Sequence, residues 1–297
     1  MTILGVDLGA TNTKLVLLSD DDNVTHLGSF PTLGEAGHDA VIQTLLATLR
    51  PLLSTHGIRA VGVGTPGLFD PETGVVRLFT NLPGQWIGVP LLDRLTDGLD
   101  VPVTLINDAR AFTLAEGTLG AGRGAAVMAG LTLGTGVGGG IMVDGRLFTG
   151  ALGIAGEIAH QTVEPSGPMC GCGNRGCAEA LASAGALTTA AARRSVEDVY
   201  RGYGEGDDAC VSAVTRAAEA LGRALANVVT VLGPEVIVVG GGIASAGGEV
   251  VLDPIRAATY RHVTLVPHED IRIVLAELGE AAGAIGAALA ARSALTA

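Results

Sequence analysis

The sequence predicts an α/β protein built as two similar domains with a cleft between them. Three observations carry this expectation. The 297 residues are enough for two domains of ordinary size. Hydrophobic residues make up 48% of them, which sets the chain among globular rather than disordered proteins. One pattern, apolar strand, Gly/Thr turn, apolar strand, also occurs twice: in "ILGVDLGATNTKLVLLS" from residue 3 and in "VMAGLTLGTGVGGGIMVDG" from residue 127.

Each element follows from spacing. After the first hairpin, Val41, Leu45, Leu49 and Leu52, with Ile42, Leu46 and Leu53 beside them, recur at helical intervals. "AVGVG" from 60 and "VTLIND" from 103 are short β-rich runs, and residues 109–120 read as helix. The run 125–143 has the length of a membrane span, but six Gly and two Thr interrupt it, so a second hairpin fits better. Residues 211–232 are Ala/Leu/Val-rich with helical spacing and stop at Gly233-Pro234. "VIVVGGGI" from 236 is a strand running into glycines, and an Ala-rich helix begins at about 280. The domain boundary falls near residue 107.

Charge and composition exclude several partners. A net charge of −12 with 3% aromatic residues offers neither a basic footprint nor stacking platforms for nucleic acid, and no basic face for an anionic membrane. The start, "MTILGVDLGATNTK", has no basic region, and Asp7 interrupts its apolar run, so it does not read as a signal peptide. A cytoplasmic protein with reduced thiols is expected.

Three of the four cysteines fall within "CGCGNRGCAE", residues 170–179. Cys170 and Cys172 flank a single residue and are poorly placed to bond each other, and an odd number in the cluster argues against disulfides. Thiolates spaced C-x-C-x4-C can converge on one cation. With His160 upstream they form a His/Cys3 set of His160, Cys170, Cys172 and Cys177, the donor set of a closed, structural zinc site. Cys210 reads as a small core residue.

The string G-x-G-x-x-G occurs from 62, 134 and 171, in no case between a strand and a helix, and G-K-[ST] is absent; neither a dinucleotide fold nor a P-loop is indicated. The hairpin turns say more. Gly9, Thr11, Asn12 and Thr13 in the first, and Gly134, Thr135, Gly136, Gly138 and Gly139 in the second, combine backbone freedom with hydroxyls. Such turns bring N–H groups close to phosphate oxygens. Asp7, at the end of the first strand, is placed to hold Mg2+ through water. Lys14 completes the first motif without an assigned contact. Either turn alone reads equally well as an ordinary hairpin; the matching pair favours phosphate.

Taken together, "DLGATNTK" at 7–14, "GVGTPGLFD" at 62–70, "NLPGQW" at 81–86, "IND" at 106–108, "LGTGVGGGI" at 133–141, "AGEIAH" at 155–160, "CGCGNRGCAE" and "LGEAAGAIGAA" at 278–288 resemble the ROK family of repressors and sugar kinases, within the actin-like superfamily. The resemblance covers essentially the whole chain. It implies two actin-like, ribonuclease H-like α/β domains: 1–107 with the C-terminal helix of about 284–297, and 108–283 with the zinc motif and most of the nucleotide site. It implies a hexose in the cleft and ATP, carried with Mg2+, against the second domain. Asp108 matches the family's general base. Asn81, Asn107, Glu157, His160 and Glu179 match positions that hydrogen-bond sugar hydroxyls, and the backbone around Gly64 and Thr65 closes the pocket. Gly240, Gly241 and Gly242 lie where the nucleotide loop ends a strand. His160 then serves both zinc and sugar, and Trp86 is a core or loop anchor. Ala159 stands where the family usually has Gly.

The activity implied is ATP-dependent phosphorylation of glucose, in a homodimer or dimer of dimers. A kinase for N-acetylmannosamine, N-acetylglucosamine, fructose or allose is the nearest alternative. A sugar-responsive repressor would need a DNA-binding helix pair, for which the hairpin starting at Thr2 or Ile3 leaves no room. A non-catalytic sugar-sensing module fits poorly with retention of Asp108 and both turns.

Overall fold

The computed structural model of the chain describes residues 1–79 and 82–296. Two compact units emerge, Met1–Ala115 with Ala281–Ala297, and Glu116–Glu280. The first opens with β1 (Thr2–Leu8), β2 (Asn12–Ser19) and β3 (Val24–Pro31), followed by α1 (His38–His56), β4 (Ile58–Thr65), the small pair β5 (Leu68–Phe69) and β6 (Val76–Leu78), α2 (Leu91–Leu99), β7 (Val103–Asn107) and α3 (Asp108–Leu119). The second holds β8 (Val127–Leu133), β9 (Val137–Val143), β10 (Arg146–Leu147), α4 (Ala178–Ala182), α5 (Ala184–Ala191), α6 (Val196–Glu205), α7 (Asp208–Leu232), β11 (Val236–Gly240), α8 (Gly241–Gly247), α9 (Glu249–His262) and β12 (Arg272–Leu275). The chain then returns to the first unit as α10 (Ala282–Thr296). The division falls inside α3, where the sequence places the change at its first residue.

Both units use one topology. Strand order is β3-β2-β1-β4-β7 in the first sheet and β10-β9-β8-β11-β12 in the second. In each, an antiparallel hairpin is extended by two parallel strands. The repeated strand–turn–strand pattern thus marks the same position in both sheets.

Side-chain alternation explains the layers of the first unit. Leu4, Val6 and Leu8 of β1 and Val61 and Val63 of β4 share a core with α1 and α2. The intervening residues, Gly5 and Gly62, face α10: a Cβ on Gly62 would lie 1.8 Å from the Ala287 carbonyl oxygen, and one on Gly5 would lie 2.0 Å from that of Ala284. Glycine here is a packing requirement, since any side chain would push the helix off the sheet. Trp86 is buried in the same core, and its indole N–H donates to the Pro83 carbonyl at 3.0 Å, an anchor as expected. Leu82 to Trp86 are described, whereas Asn81 lies outside the described residues.

In the second unit α7 dominates. Asp207 caps its start by accepting from the Cys210 N–H at 3.0 Å, and Gly233, at φ 55°, ends it. Cys210 is buried in the apolar core, as expected. No helix among the described residues is long and apolar enough to cross a membrane.

Candidate active site

The first turn lies between β1 and β2. Asp7 and Lys14 are cross-strand partners at its base. Burial pushes the Asp7 carboxyl up to about 6, against the pull of the Lys14 cation. Its side chain is directed at the start of α10, where a Cβ on Gly283 would come within 2.7 Å of Asp7 Oδ2. Ala10, Thr11 and Asn12 are exposed. Thr13 is not: its side chain is fully buried and pairs with the Thr32 hydroxyl at 2.9 Å. Of the hydroxyls expected to face a phosphate, Thr11 is on the open side and Thr13 is turned inward.

Asn107 ends β7 and Asp108 begins α3. Asn107 Oδ1 accepts from the Arg110 N–H at 3.2 Å, so Asn107 caps the helix. Its Nδ2 donates to the Gly67 carbonyl and to Asp108 Oδ1, both at 3.1 Å. Asp108 Oδ1 also accepts from the Ala109 N–H at 2.8 Å. Two donors therefore fix the rotation of the Asp108 carboxylate. Parallel pairing sets Gly64 and Thr65 beside Ile106 and Asn107. The buried Thr65 hydroxyl finds no hydrogen-bond partner among the described residues.

In the second unit Thr135 is exposed at the tip of its turn. The turn closes through the Gly134 N–H on the Gly136 carbonyl at 3.0 Å. Gly138 and Gly139 lie within β9, paired with Thr132 and Leu131. Gly139 serves packing, since a Cβ there would meet the Gly156 carbonyl oxygen at 2.6 Å. The junction of β11 with α8 adjoins this turn: Gly240 pairs with Thr132, and Gly241, at φ +86°, lies so close to Leu133 that a Cβ would be 2.4 Å from its carbonyl oxygen. Gly240 and Gly241 are thus brought beside Thr132 and Leu133, which lead into the second turn. The helix that Gly241 opens is not announced in the sequence, because glycine is a poor helix former.

Glu157, half-buried, precedes the short turn Ile158–His160, and its carbonyl accepts the His160 N–H at 3.1 Å. Ala159 is buried without a left-handed φ, so the methyl group is accommodated. His160 directs Nδ1 at the cysteines, 3.6 Å from Cys170 Sγ. Cys172 and Cys177 Sγ are 3.7 Å apart, and the four donor atoms of His160, Cys170, Cys172 and Cys177 all lie within 4.8 Å of one another. Burial raises the Cys177 thiol and pushes that of Cys170 up to about 12, whereas the Asn174 N–H lowers that of exposed Cys172. Glu179 joins this cluster to the second turn: Oε2 accepts from Cys170 at 3.4 Å and Oε1 from the Val137 N–H at 3.2 Å. Gly136 makes that approach possible, because a Cβ there would lie 2.7 Å from Glu179 Oε1.

A ROK family profile matches residues 3–294. The chain is 36% identical to a glucokinase of Thermotoga maritima, covering 97% of this chain and 96% of that one. Among solved structures, a ROK hexokinase of Thermus thermophilus is similar with a TM-score of 0.88 and 35% identity, over 100% of this chain and 99% of that one. A ROK family glucokinase of Streptomyces griseus, solved with glucose and AMPPNP, has a TM-score of 0.85 and 30% identity, over 99% of this chain and all of that one.

Proposed function

The chain belongs to the ROK family, and on that premise we propose that it is an ATP-dependent kinase that phosphorylates the 6-hydroxyl of glucose, giving glucose 6-phosphate and ADP. The observation that carries the reading is the Asp108 carboxylate, held in one rotation by the Ala109 N–H and the Asn107 amide. A fixed carboxylate orients the sugar hydroxyl and takes its proton as the hydroxyl oxygen attacks the γ-phosphorus. Asn81, Asn107, Glu157, His160 and Glu179, with the backbone at Gly64 and Thr65, hold the sugar. The orphan Thr65 hydroxyl supports a polar ligand beside it. Gly9, Thr11 and Asn12 of the first turn, the second turn and Gly240 to Gly242 hold the nucleotide. Mg2+ bound with ATP supplies charge neutralisation at the phosphates, with Asp7 and its hydration shell as the residue side of that contact.

The cysteine cluster fits Zn2+. A tetrahedron with Zn–S of about 2.3 Å and Zn–N of about 2.05 Å requires S–S edges of about 3.8 Å and S–N edges of about 3.6 Å. In the cluster the Cys172–Cys177 edge is 3.7 Å and the His160–Cys170 edge 3.6 Å, and all the edges lie within 4.8 Å. His160, Cys170, Cys172 and Cys177 would hold the ion, whose contribution is structural because four protein ligands fill its sphere. With Nδ1 on the metal, Nε2 of His160 is the nitrogen that serves the sugar, so the cluster steadies two sugar contacts, His160 and Glu179. The enzyme acts in the cytoplasm as a homodimer or dimer of dimers.

The test is an ADP-coupled assay across glucose, fructose, allose, mannose, N-acetylglucosamine and N-acetylmannosamine. Glucose is expected to give the highest kcat/KM. A large preference for N-acetylmannosamine would replace glucose in this reading, and no turnover with any sugar would overturn it.

A further inference from the structure

Thr32, which follows β3 and lies outside both glycine-rich turns, is the residue we propose as the positioning residue that decides which backbone groups the first turn presents to a phosphate. The kinase reading supplies the identity of the ligand; the geometry belongs to the first unit alone. Thr32 is 1% exposed. Its hydroxyl donates to the Gly9 carbonyl at 2.7 Å, and its backbone N–H donates to the Thr11 carbonyl at 2.9 Å. A hydroxyl has one proton, so the 2.9 Å contact between Thr13 and Thr32 is donated by Thr13. One buried residue therefore gathers two carbonyls and one side chain from a single turn.

The consequence follows from peptide planarity. In a trans peptide the N–H points opposite to the C=O, and no peptide bond among the described residues is cis. With the Gly9 and Thr11 carbonyls drawn towards Thr32, the Ala10 and Asn12 N–H groups are turned the other way, on the exposed segment of the turn. An anion is attracted by an N–H and repelled by a carbonyl, so a flip of either peptide would convert a favourable site into an unfavourable one. Gly9 makes that flip easy. Glycine is required there, because a Cβ would stand 2.6 Å from the Asn12 carbonyl oxygen, and glycine brings conformational freedom with it. The Thr32 bond removes that freedom at the peptide where it matters.

Thr32→Val deletes the hydroxyl and keeps the branched shape; Thr32→Ser keeps the hydroxyl. Thr13→Val removes the supporting bond and leaves the bond from Thr32 to Gly9. Calorimetric titration with AMPPNP alone, and separately with glucose alone, reads the two ligands apart. T32V is expected to weaken AMPPNP about tenfold and glucose less than about twofold, while T32S and T13V stay within about threefold of wild type for both. Should T32V not fold, Thr32→Cys, a weak donor of similar size, carries the same comparison. Unchanged AMPPNP affinity in T32V, equal loss of both ligands, or a T13V effect matching that of T32V overturns the proposal. A wild-type protein that binds AMPPNP but phosphorylates no sugar overturns the kinase reading and leaves this comparison decisive. A wild-type protein that binds no nucleotide overturns both.

Discussion

Replacing Asp108 by Asn separates two roles that stand side by side at the start of α3. The cap belongs to Asn107, which accepts the Arg110 N–H. Asp108→Asn therefore leaves that cap in place and removes proton acceptance. The expected result is a fall in kcat of about 10²–10⁴-fold with thermal stability and glucose affinity close to wild type. A folded variant within a few-fold of wild-type kcat would refute the general-base role. Asp7 makes a different prediction. Its folded pKa of about 6 lies above the ordinary carboxylate value of 3.8, so the folded state holds the proton more tightly than the unfolded one. Ionised Asp7 then costs stability, by up to about 3 kcal/mol and less for the part that solvent reaches, and this cost develops as pH rises from about 4 to above 6. Asp7→Asn, measured without Mg2+ or ATP, is expected to raise Tm at pH 8 and to leave it unchanged at pH 4. A Tm difference that is flat across this range would remove burial as the cause.

Glu116 ties together segments distant in sequence. It is a fully buried carboxylate at the end of α3, with Oε2 accepting from Ala121 at 3.0 Å and Glu277 at 3.2 Å, and Oε1 accepting from Leu278 at 2.9 Å. Glu116→Gln must turn its NH2 towards at least one of these donors, which predicts a loss of about 1–3 kcal/mol in urea unfolding. Stability equal to wild type would mean that the three bonds contribute nothing. At the cysteine knuckle, wild type is expected to carry one zinc ion per chain and Cys172→Ser to lose it, with glucose affinity falling more than AMPPNP affinity. Elemental analysis of protein prepared without chelator, showing no zinc, would contradict this. These two cases mark what the sequence discloses. The hairpins, α1, α7 and the His/Cys3 set are legible because periodicity, turn residues and donor spacing are local signals. The Glu116 clamp is not, because two of its three donors are backbone N–H groups about 160 residues away. Thr32 escapes for the same reason. Helices α4 and α5 are short and Ala-rich, with little amphipathic contrast to announce them.

The two units differ in how the chain builds them. The second is one continuous stretch, Glu116–Glu280, whereas the first needs both Met1–Ala115 and the returning helix α10. That helix covers the glycine face of the first sheet, against Gly5 and Gly62. A chain cut after residue 280 is therefore expected to keep 116–280 resistant to limited proteolysis and to lose resistance in 1–115. Equal protection of both parts would show that the first sheet stands without its last helix. The same arrangement orders events during biosynthesis. The first hundred or so residues leave the ribosome before any of the second unit, yet they are completed after it, because their covering helix is translated later. At a rate of about 5–20 residues per second, synthesis of the intervening segment alone takes roughly 8–30 seconds, during which a sheet lined with Gly5 and Gly62 waits with one side bare. Of the two units, the one begun first is the last to mature, and it is the one for which a chaperone's shelter during translation matters more.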